Sequence, residues 1–218
     1  MLDTPIDVAA TLATFAEGSY VQVHDGLQMW KHPDDLARLK AVIAATKPSV
    51  IVETGTKWGG SAAWLAAQGV DVVTVDCNPN DSLEARRRPS SRVTYLFGDS
   101  VDPAVLESVK ESVGRRKTMV ILDSEHASGH VLKEIEAYGP LVSPGCYLVI
   151  EDGIFDLTTD HALKSRGGFR IPTEGGPLVA VEKTVANDPA WKRDTQIEAL
   201  TPLSHNPGGW WIRQKAKR

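Results

Sequence analysis

The chain has 218 residues, of which 42% are hydrophobic and 24% are charged, and its formal net charge is -4. This length and composition predict one globular domain, and the mildly acidic balance argues against a nucleic-acid partner. No apolar run reaches bilayer length, the first residues carry acids where a signal peptide carries Lys or Arg, and Cys77 and Cys146 offer no disulfide framework. We therefore expect a cytoplasmic protein that has neither a membrane segment nor structural zinc.

Residues 1–32 show weak periodicity, but aromatic residues and histidines are concentrated between Tyr20 and His32. That concentration predicts a packed arm rather than a loose tail. We divide the chain into an N-terminal arm, residues 1–32, and a single domain, residues 33–218. The arm is expected either to form part of an interface in a homo-oligomer, a dimer or larger, or to cover a substrate pocket.

The domain begins with a predicted helix that ends before Pro48. Its apolar face is formed by Leu36, Leu39, Val42 and Ile43. Five short, β-branched and apolar segments then suit strands that are buried on both faces: 49–53, 70–76, 93–97, 118–123 and 146–152. Helical patterns lie between them at 61–68, 103–113 and 130–138. This alternation predicts an α/β fold with a doubly wound, mostly parallel sheet.

Two later segments complete the predicted fold. The Pro- and Gly-rich segment 166–177 is expected to be one long functional loop. Residues 191–213 are expected to return as two antiparallel strands at the edge of the sheet.

The first predicted strand runs into a turn that contains glycines and precedes a helix: Glu53-Thr-Gly55-Thr-Lys-Trp-Gly59-Gly60-Ser61. Glycines allow a tight turn and let a ligand approach the backbone. The spacing is not G-x-G-x-x-G, and Glu53 stands where a dinucleotide site has its first glycine, so its carboxylate would repel a pyrophosphate. A cationic ligand such as S-adenosylmethionine, which carries an ammonium and a sulfonium, fits better. The alternative is a turn that binds no ligand.

Polar residues at the ends of the next two strands extend this predicted cofactor site. Asp76 stands where an acid can accept hydrogen bonds from ribose hydroxyls, although it could instead only cap the following turn. Asp99 or Ser100 could contact the adenine, although a helix N-cap before Pro103 would explain them nearly as well. The residues assigned to the cofactor are Glu53, Gly55, Gly59, Ser61, Asp76, Asp99, Ser100 and Asp123.

Acids also end the fourth and fifth predicted strands, namely Asp123 and the pair Glu151-Asp152. In open α/β sheets the ligand lies beyond the carboxyl ends of the strands, so these three carboxylates should meet there. Packed acids raise each other's pKa unless a cation is present, and oxygen ligands select a hard ion. We predict a metal site for Mg²⁺, with Mn²⁺ or Ca²⁺ as alternatives. The other interpretation is that Asp123 and Asp152 cap turns and Glu151 is solvated.

His126 lies three residues beyond Asp123 and is expected to face the same cleft. A histidine could remove a hydroxyl proton while the metal lowers the pKa of that hydroxyl. We therefore predict His126 and Asp123 as the catalytic residues. A competing hypothesis places zinc on Asp123, His126 and His130, but no Cys or H-E-x-x-H motif supports it. We otherwise expect His130 to lie on a helix surface.

Six stretches of the sequence carry a family resemblance: Trp30-Lys-His-Pro33-Asp34-Asp-Leu36, Glu53-Thr-Gly55 with Gly59-Gly60-Ser61, Leu122-Asp123-Ser-Glu-His126, Tyr138-Gly-Pro-Leu-Val142, Tyr147-Leu-Val-Ile-Glu151-Asp152 and Asn206-Pro-Gly-Gly209. They resemble the cephalosporin hydroxylase and rhamnosyl O-methyltransferase family, from about residue 30 to residue 211. The resemblance implies a class I methyltransferase fold with S-adenosylmethionine and Mg²⁺. It also implies metal ligation by Asp123, Glu151 and Asp152, with His126 as the general base.

The resemblance further implies O-methylation of a sugar hydroxyl on a small-molecule acceptor. The compact length resembles a small mycobacterial member that methylates the anomeric hydroxyl of a short methylated mannoside. Where relatives show Gly-Pro-Gly after the fifth strand, this chain has Glu174-Gly-Gly-Pro177, so its acceptor loop is expected to differ. Two alternatives stay open, a metal-dependent phenol or catechol O-methyltransferase and a non-catalytic helper protein that binds S-adenosylmethionine. Trp58, Trp210 and Trp211 could stack on either kind of acceptor.

Overall fold

The N-terminal segment folds as a helix followed by a hairpin. In the computed structural model, which describes residues 4–88, 90–158 and 174–215, helix α1 (Val8–Glu17) precedes the antiparallel strands β1 (Val21–His24) and β2 (Leu27–Trp30). The hairpin turn, Asp25-Gly26, has positive φ at both residues, as a type I′ turn requires. The hairpin packs on the domain, because a Cβ added to Gly60 would lie 2.3 Å from the carbonyl oxygen of Gln28. The hairpin is therefore packed, as the sequence predicts, while the division of the chain into an arm and a domain stays a prediction.

The central sheet is built from the five predicted parallel strands and two later strands. These are β3 (Val50–Thr54), β4 (Asp71–Asp76), β5 (Val93–Phe97), β6 (Thr118–Leu122), β7 (Tyr147–Ile150), β8 (Trp191–Arg193) and β9 (Trp210–Arg213). The strand order is β5-β4-β3-β6-β7-β9-β8, with β9 antiparallel to both of its neighbours. The α/β class, the mostly parallel sheet and the antiparallel return at its edge are confirmed.

The helices connect these strands in the expected alternation. They are α2 (Pro33–Thr46), α3 (Gly60–Ala67), α4 (Leu83–Arg87), α5 (Pro103–Val113), α6 (Ser128–Tyr138), α7 (Pro177–Lys183) and α8 (Thr195–Glu198). The four helices predicted in the domain correspond to α2, α3, α5 and α6. No helix among the described residues is long and apolar enough to cross a membrane.

Residues 166–173 of the predicted loop 166–177 lie outside the described residues. Its described part precedes α7, and Pro177 is already the first residue of that helix. Proline suits this position because its missing N–H would have no partner within the helix.

The strand order fixes where a ligand can bind. Strand β3 pairs in parallel with β4 on one side and with β6 on the other, so the chain changes direction across the sheet at this point. Residues of β3, β6 and β7 are buried throughout, as expected for strands covered on both faces. A crevice therefore opens where the carboxyl ends of these strands meet, and the predicted site residues follow those ends.

A fully buried guanidinium joins helix α2 to a segment that is distant in the sequence. Arg38 donates hydrogen bonds to four backbone carbonyls between residues 197 and 203 at 2.5 to 3.1 Å. In the same helix, the carboxylate of Asp35 accepts hydrogen bonds from the hydroxyl of Ser204 and the backbone N–H of His205. The segment 197–205 is thus anchored to α2 by charge-assisted hydrogen bonds.

Candidate functional site

A cavity of about 840 Å³ lies at the carboxyl ends of β3, β4, β5 and β6. The hairpin of the arm closes one wall with residues 28–31. The predicted cofactor residues that line the cavity are Gly55, Ser61, Asp76, Asp99, Ser100 and Asp123. The other two, Glu53 and Gly59, are buried and do not line it. The cavity has the size and concave shape of a small-molecule site.

The two glycines of the turn after β3 meet different requirements. Gly55 has φ +87°, and a Cβ added there would lie 1.9 Å from the carbonyl oxygen of Asp123. Gly59 has φ +78°, and a Cβ there would lie 2.5 Å from the Cβ of Ala85 in α4. Gly55 therefore brings the turn against the end of β6 at the cavity, whereas Gly59 serves helix packing. Contact of either glycine with a cofactor stays a prediction.

Glu53 is fully buried and is linked through Thr74 to Thr56 in the turn after β3. Its Oε2 accepts a hydrogen bond from the Thr74 hydroxyl at 2.9 Å, and that hydroxyl lies 2.8 Å from the Thr56 hydroxyl. Because Thr74 donates to Glu53, Thr56 must donate to Thr74. Burial raises the pKa of Glu53 to about 7. Direct contact of this carboxylate with a cofactor stays a prediction.

Asp76 lines the cavity and also caps a turn. Its two carboxylate oxygens accept hydrogen bonds from the backbone N–H groups of Lys57 at 2.7 Å and Asn78 at 2.8 Å. The turn-capping interpretation is therefore correct as far as it goes. Each oxygen keeps a further lone pair, so the predicted ribose contact is compatible with this geometry.

The residues after β5 do not cap the helix that follows them. The N-cap of α5 is Asp102, whose carboxylate accepts the N–H of Ala104 at 2.7 Å. Asp99 instead accepts the N–H of Val101 within its own turn. The N-cap interpretation of Asp99 and Ser100 was therefore wrong, because the cap lies closer to Pro103.

We expected His130 to lie on a solvent-exposed helix surface, and this was wrong. The residue is half-buried and lines the cavity. Its Nε2 is 3.1 Å from the hydroxyl of Ser100, and that hydroxyl donates to Oε1 of Glu134 at 2.6 Å. The hydroxyl of Ser124 also donates to Glu134 Oε1, at 2.7 Å. Glu134 is buried one helical turn after His130, so it fixes three polar side chains of the cavity wall at once.

The ammonium of Lys31 lies between two of the predicted metal ligands. Its Nζ donates a hydrogen bond to Asp123 Oδ2 at 2.6 Å and forms an ion pair with Glu151 Oε1 at 2.6 Å. Burial alone lowers the pKa of Lys31, but the charges of Asp123 and Glu151 raise it above its ordinary value. The crowded carboxylates thus have the cation that their repulsion requires, and it is a side chain of the arm.

The third predicted metal ligand lies beside the predicted base. His126 Nε2 is 3.2 Å from Asp152 Oδ2, and both side chains are largely buried. Potential ligand atoms of Asp123, His126 and Asp152 all lie within 4.8 Å of one another. Burial raises the pKa of Asp152 to about 6 and that of Glu151 well above its ordinary value. His130 is not part of this group, so the geometry does not favour the zinc hypothesis.

The Asn206–Gly209 stretch of the family resemblance supports the end of β7. Asp152 has left-handed backbone angles, φ 61° and ψ 24°, and its N–H donates to Asn206 Oδ1 at 2.9 Å. A Cβ added to Gly209 would lie 1.9 Å from the carbonyl oxygen of Ile150. The hydrogen bond and the close approach of Gly209 together hold the backbone that carries Glu151 and Asp152.

Tryptophans reach the cavity from two directions. Trp30 and Trp58 line it, with ring centroids 4.8 Å apart in an edge-to-face arrangement. Trp210 and Trp211 belong to β9 and are buried in the core, so the suggestion that they stack on an acceptor was wrong.

Sequence reasoning assigned no role to Lys31, Ser124 or Glu134. Lys31 is part of the Trp30-Lys-His-Pro33 stretch, but a single lysine there has no spacing signal. Glu134 stands four residues after His130 in a predicted helix, and this spacing could have indicated their contact.

The strand order, with a cavity at the carboxyl ends of the parallel strands, is that of the class I methyltransferase fold. Two solved structures share this fold. CmcI in complex with Mg and SAM has a TM-score of 0.63 and 20% identity, covering 89% of this chain and 77% of that one. MycE from the mycinamycin biosynthetic pathway, with Mg and SAH, has a TM-score of 0.54 and 19% identity, covering 94% and 54%.

The family is shown by sequence. The model of the family described as "Rhamnosyl O-methyltransferase/CmcI" matches residues 16–214, and the chain belongs to this family. A rhamnosyl O-methyltransferase of Mycobacterium tuberculosis (strain ATCC 25618 / H37Rv) is 32% identical over 196 residues, which cover 86% of this chain and 76% of the relative. The chain is an S-adenosylmethionine-dependent O-methyltransferase.

Proposed function

We propose that this enzyme transfers the methyl group of S-adenosylmethionine to a sugar hydroxyl in a Mg²⁺-dependent reaction. The acceptor is a glycoside, an oligosaccharide such as a methylated mannoside, or a glycosylated natural product. The observation that carries the proposal is the convergence of Asp123, His126 and Asp152 at one end of a cofactor-sized cavity, with Glu151 joined to Asp123 through the ammonium of Lys31. The rhamnosyl O-methyltransferase names of the relatives support a sugar acceptor.

The cavity fits S-adenosylmethionine by shape and by the groups on its wall. Gly55 lets the turn that lines the cavity pack against the end of β6, and Asp76 offers lone pairs to ribose hydroxyls. Ser100, held by Glu134, presents a fixed polar group after β5, where we place the adenine. The methyl group would then face the acids that follow β6 and β7.

The donor set fits a hard divalent ion. We propose Asp123, Glu151 and Asp152 as ligands, since carboxylate oxygens are the atoms that Mg²⁺ prefers. When bound, Mg²⁺ supplies Lewis-acid chemistry, which lowers the pKa of the acceptor hydroxyl and orients it.

His126 is proposed to remove the proton of the acceptor hydroxyl. Asp152 lies 3.2 Å from His126 Nε2, so its carboxylate orients the imidazole and stabilises it once the proton has arrived. The oxygen attacks the methyl carbon from the side opposite the sulfur, the carbon–sulfur bond breaks, and S-adenosylhomocysteine leaves. His126 later returns the proton to water.

An acceptor screen tests the proposal. The enzyme is incubated with S-adenosylmethionine and Mg²⁺, with glycosides in one series and catechols in the other, and S-adenosylhomocysteine is quantified. We expect turnover of a glycoside and none of catechols. Turnover of catechols alone would replace the sugar acceptor with a phenol and leave the methyl-transfer chemistry in place.

A further inference from the structure

We propose that Lys31 is a resident cation of the metal site, whose ammonium competes with the divalent metal for Asp123 and Glu151. The inference rests on the proposed metal-dependent function. The observation behind it is geometric, because Nζ of Lys31 lies 2.6 Å from one oxygen of each carboxylate. These are two of the three proposed ligands, so the same two carboxylates would serve two cations.

Simultaneous binding of Mg²⁺ and the Lys31 ammonium to the same carboxylates is electrostatically unfavourable. Mg²⁺ binds oxygen at about 2.1 Å, so an ion on the same two oxygens would lie roughly 4 Å or less from the ammonium. Like charges at this distance repel strongly where water is excluded. The side chains of Lys31 and Glu151 are only 3% and 4% exposed, so solvent screens this repulsion poorly. Metal binding must therefore overcome the existing ion pairs of Lys31.

The ammonium is held in place by the arm. Lys31 directly follows β2, and its backbone N–H donates to the carbonyl of Tyr20 at 2.9 Å. The same strand packs tightly on the start of α3 through Gln28 and Gly60. The position of Lys31 is thus set by the packed hairpin, so the arm sets the affinity of a site whose ligands come from β6 and β7.

The first test is the metal affinity of Lys31→Met, measured by calorimetric titration with Mg²⁺ and with Mn²⁺ in the absence of cofactor. Met has a similar length and no charge, so we expect binding about tenfold tighter than in the wild type, or more. Lys31→Arg keeps the charge and should stay within about threefold of the wild type. Equal or weaker binding by Lys31→Met would overturn the inference.

A matched control uses another lysine of the same cavity. Lys57 lines the cavity, but its side chain is 53% exposed and pairs with Asp81 at 3.4 Å. Because solvent screens this charge, Lys57→Met should change the metal affinity by less than about twofold. Equal tightening in both variants would show a general effect of net charge and would also overturn the inference.

Thermal unfolding gives a second readout that does not depend on activity. Without metal, Lys31→Met should melt below the wild type, because its buried carboxylates have lost their cation. Saturating Mg²⁺ should raise its melting temperature by more than it raises that of the wild type. Equal Mg²⁺ shifts in the two proteins would contradict the competition. Should Lys31→Met fail to fold with and without Mg²⁺, Lys31→Gln takes its place in both measurements.

The outcomes separate this inference from the proposed function. Metal binding by the wild type without tightening in the variant removes only the role of Lys31. If neither protein binds metal, the metal-dependent function and the competition both fail. Binding by Lys31→Met alone supports the competition, because the ammonium then excludes the metal from the wild type.

Discussion

At the cofactor end of the cavity, Asp76 is fixed by its own turn and by the turn after the adjacent strand, whereas the carboxylates at the metal end are fixed by distant parts of the chain. Asp76 is held by the N–H groups of Lys57 and Asn78. Asp123 and Glu151 instead meet Lys31 of the arm, and Asp152 depends on Asn206.

This difference indicates a division of roles. The cofactor end is shaped by backbone turns of the sheet, so single side-chain changes there should affect binding moderately. The metal end concentrates buried charge whose balance depends on several segments at once. Changes there should affect turnover strongly.

The largest effect is expected from removal of the metal. Dialysis against EDTA should reduce methyl transfer by at least ~100-fold, and added Mg²⁺ should restore it, because the acceptor hydroxyl loses its Lewis acid. Calorimetric titration should show that S-adenosylmethionine still binds. Activity that survives thorough chelation would remove the metal from the mechanism.

A pair of histidine variants compares the two ends directly. His126→Ala should lower kcat by about 10²- to 10⁴-fold while the Kd for S-adenosylmethionine changes by less than about threefold. His130→Ala, at the cofactor side, should mainly raise that Kd. Steady-state kinetics and cofactor titrations measure both quantities. Wild-type kcat in His126→Ala would exclude this residue as the base.

The buried carboxylate of Glu53 should make stability depend on pH. Its folded pKa of about 7 lies above its ordinary value of 4.5, so its destabilising contribution is absent below pH 4.5 and grows as the pH rises through 7. Relative to the wild type, Glu53→Gln should gain up to about 3 kcal/mol between pH 4.5 and pH 8. Urea unfolding with EDTA present measures this difference. A gain that is the same at both pH values would show that folding does not raise the pKa of Glu53.

The smallest effect is expected at the support of Asp152. Asn206→Ala leaves the N–H of Asp152 without its acceptor, so Mg²⁺ affinity should fall about tenfold. Asn187→Ala is the control, because the side chain of this exposed residue donates to the backbone carbonyl of Glu182, in a part of the chain that does not line the cavity. Titration of both variants with Mg²⁺ checks the prediction. Identical affinities would show that Gly209 and its neighbours suffice to hold the ligand backbone.

Most of the fold could be predicted because its signals are local. Each parallel strand is a β-branched run that is buried on both faces, and proline or glycine marks the helix ends. The short helices α4 and α8 were missed, since Leu83–Arg87 and Thr195–Glu198 are too short to show an apolar period. Their existence depends on tertiary packing rather than on propensity.

The site could be predicted only as far as strand ends reveal it. Asp123, Glu151 and Asp152 were found because acids that follow neighbouring parallel strands converge. The role of Lys31 could not be predicted, because its partner Asp123 lies 92 residues further along the chain. No sequence motif links residues across that distance. Trp210 and Trp211 were wrongly assigned to the acceptor site, because a tryptophan that packs in the core cannot be distinguished by sequence from one that stacks on a ligand.

The anchoring of segment 197–205 by Arg38 and Asp35 has a consequence for the order of folding. These contacts join residues about 160 to 170 positions apart, and such non-local contacts form late because closing long loops is entropically costly. The neighbouring Asn206 can support Asp152 only after that closure. A chain that has formed its sheet but not the contacts of Arg38 and Asp35 with segment 197–205 would therefore carry Asp152 without its final geometry. Recovery of metal affinity during refolding should then lag behind recovery of secondary structure.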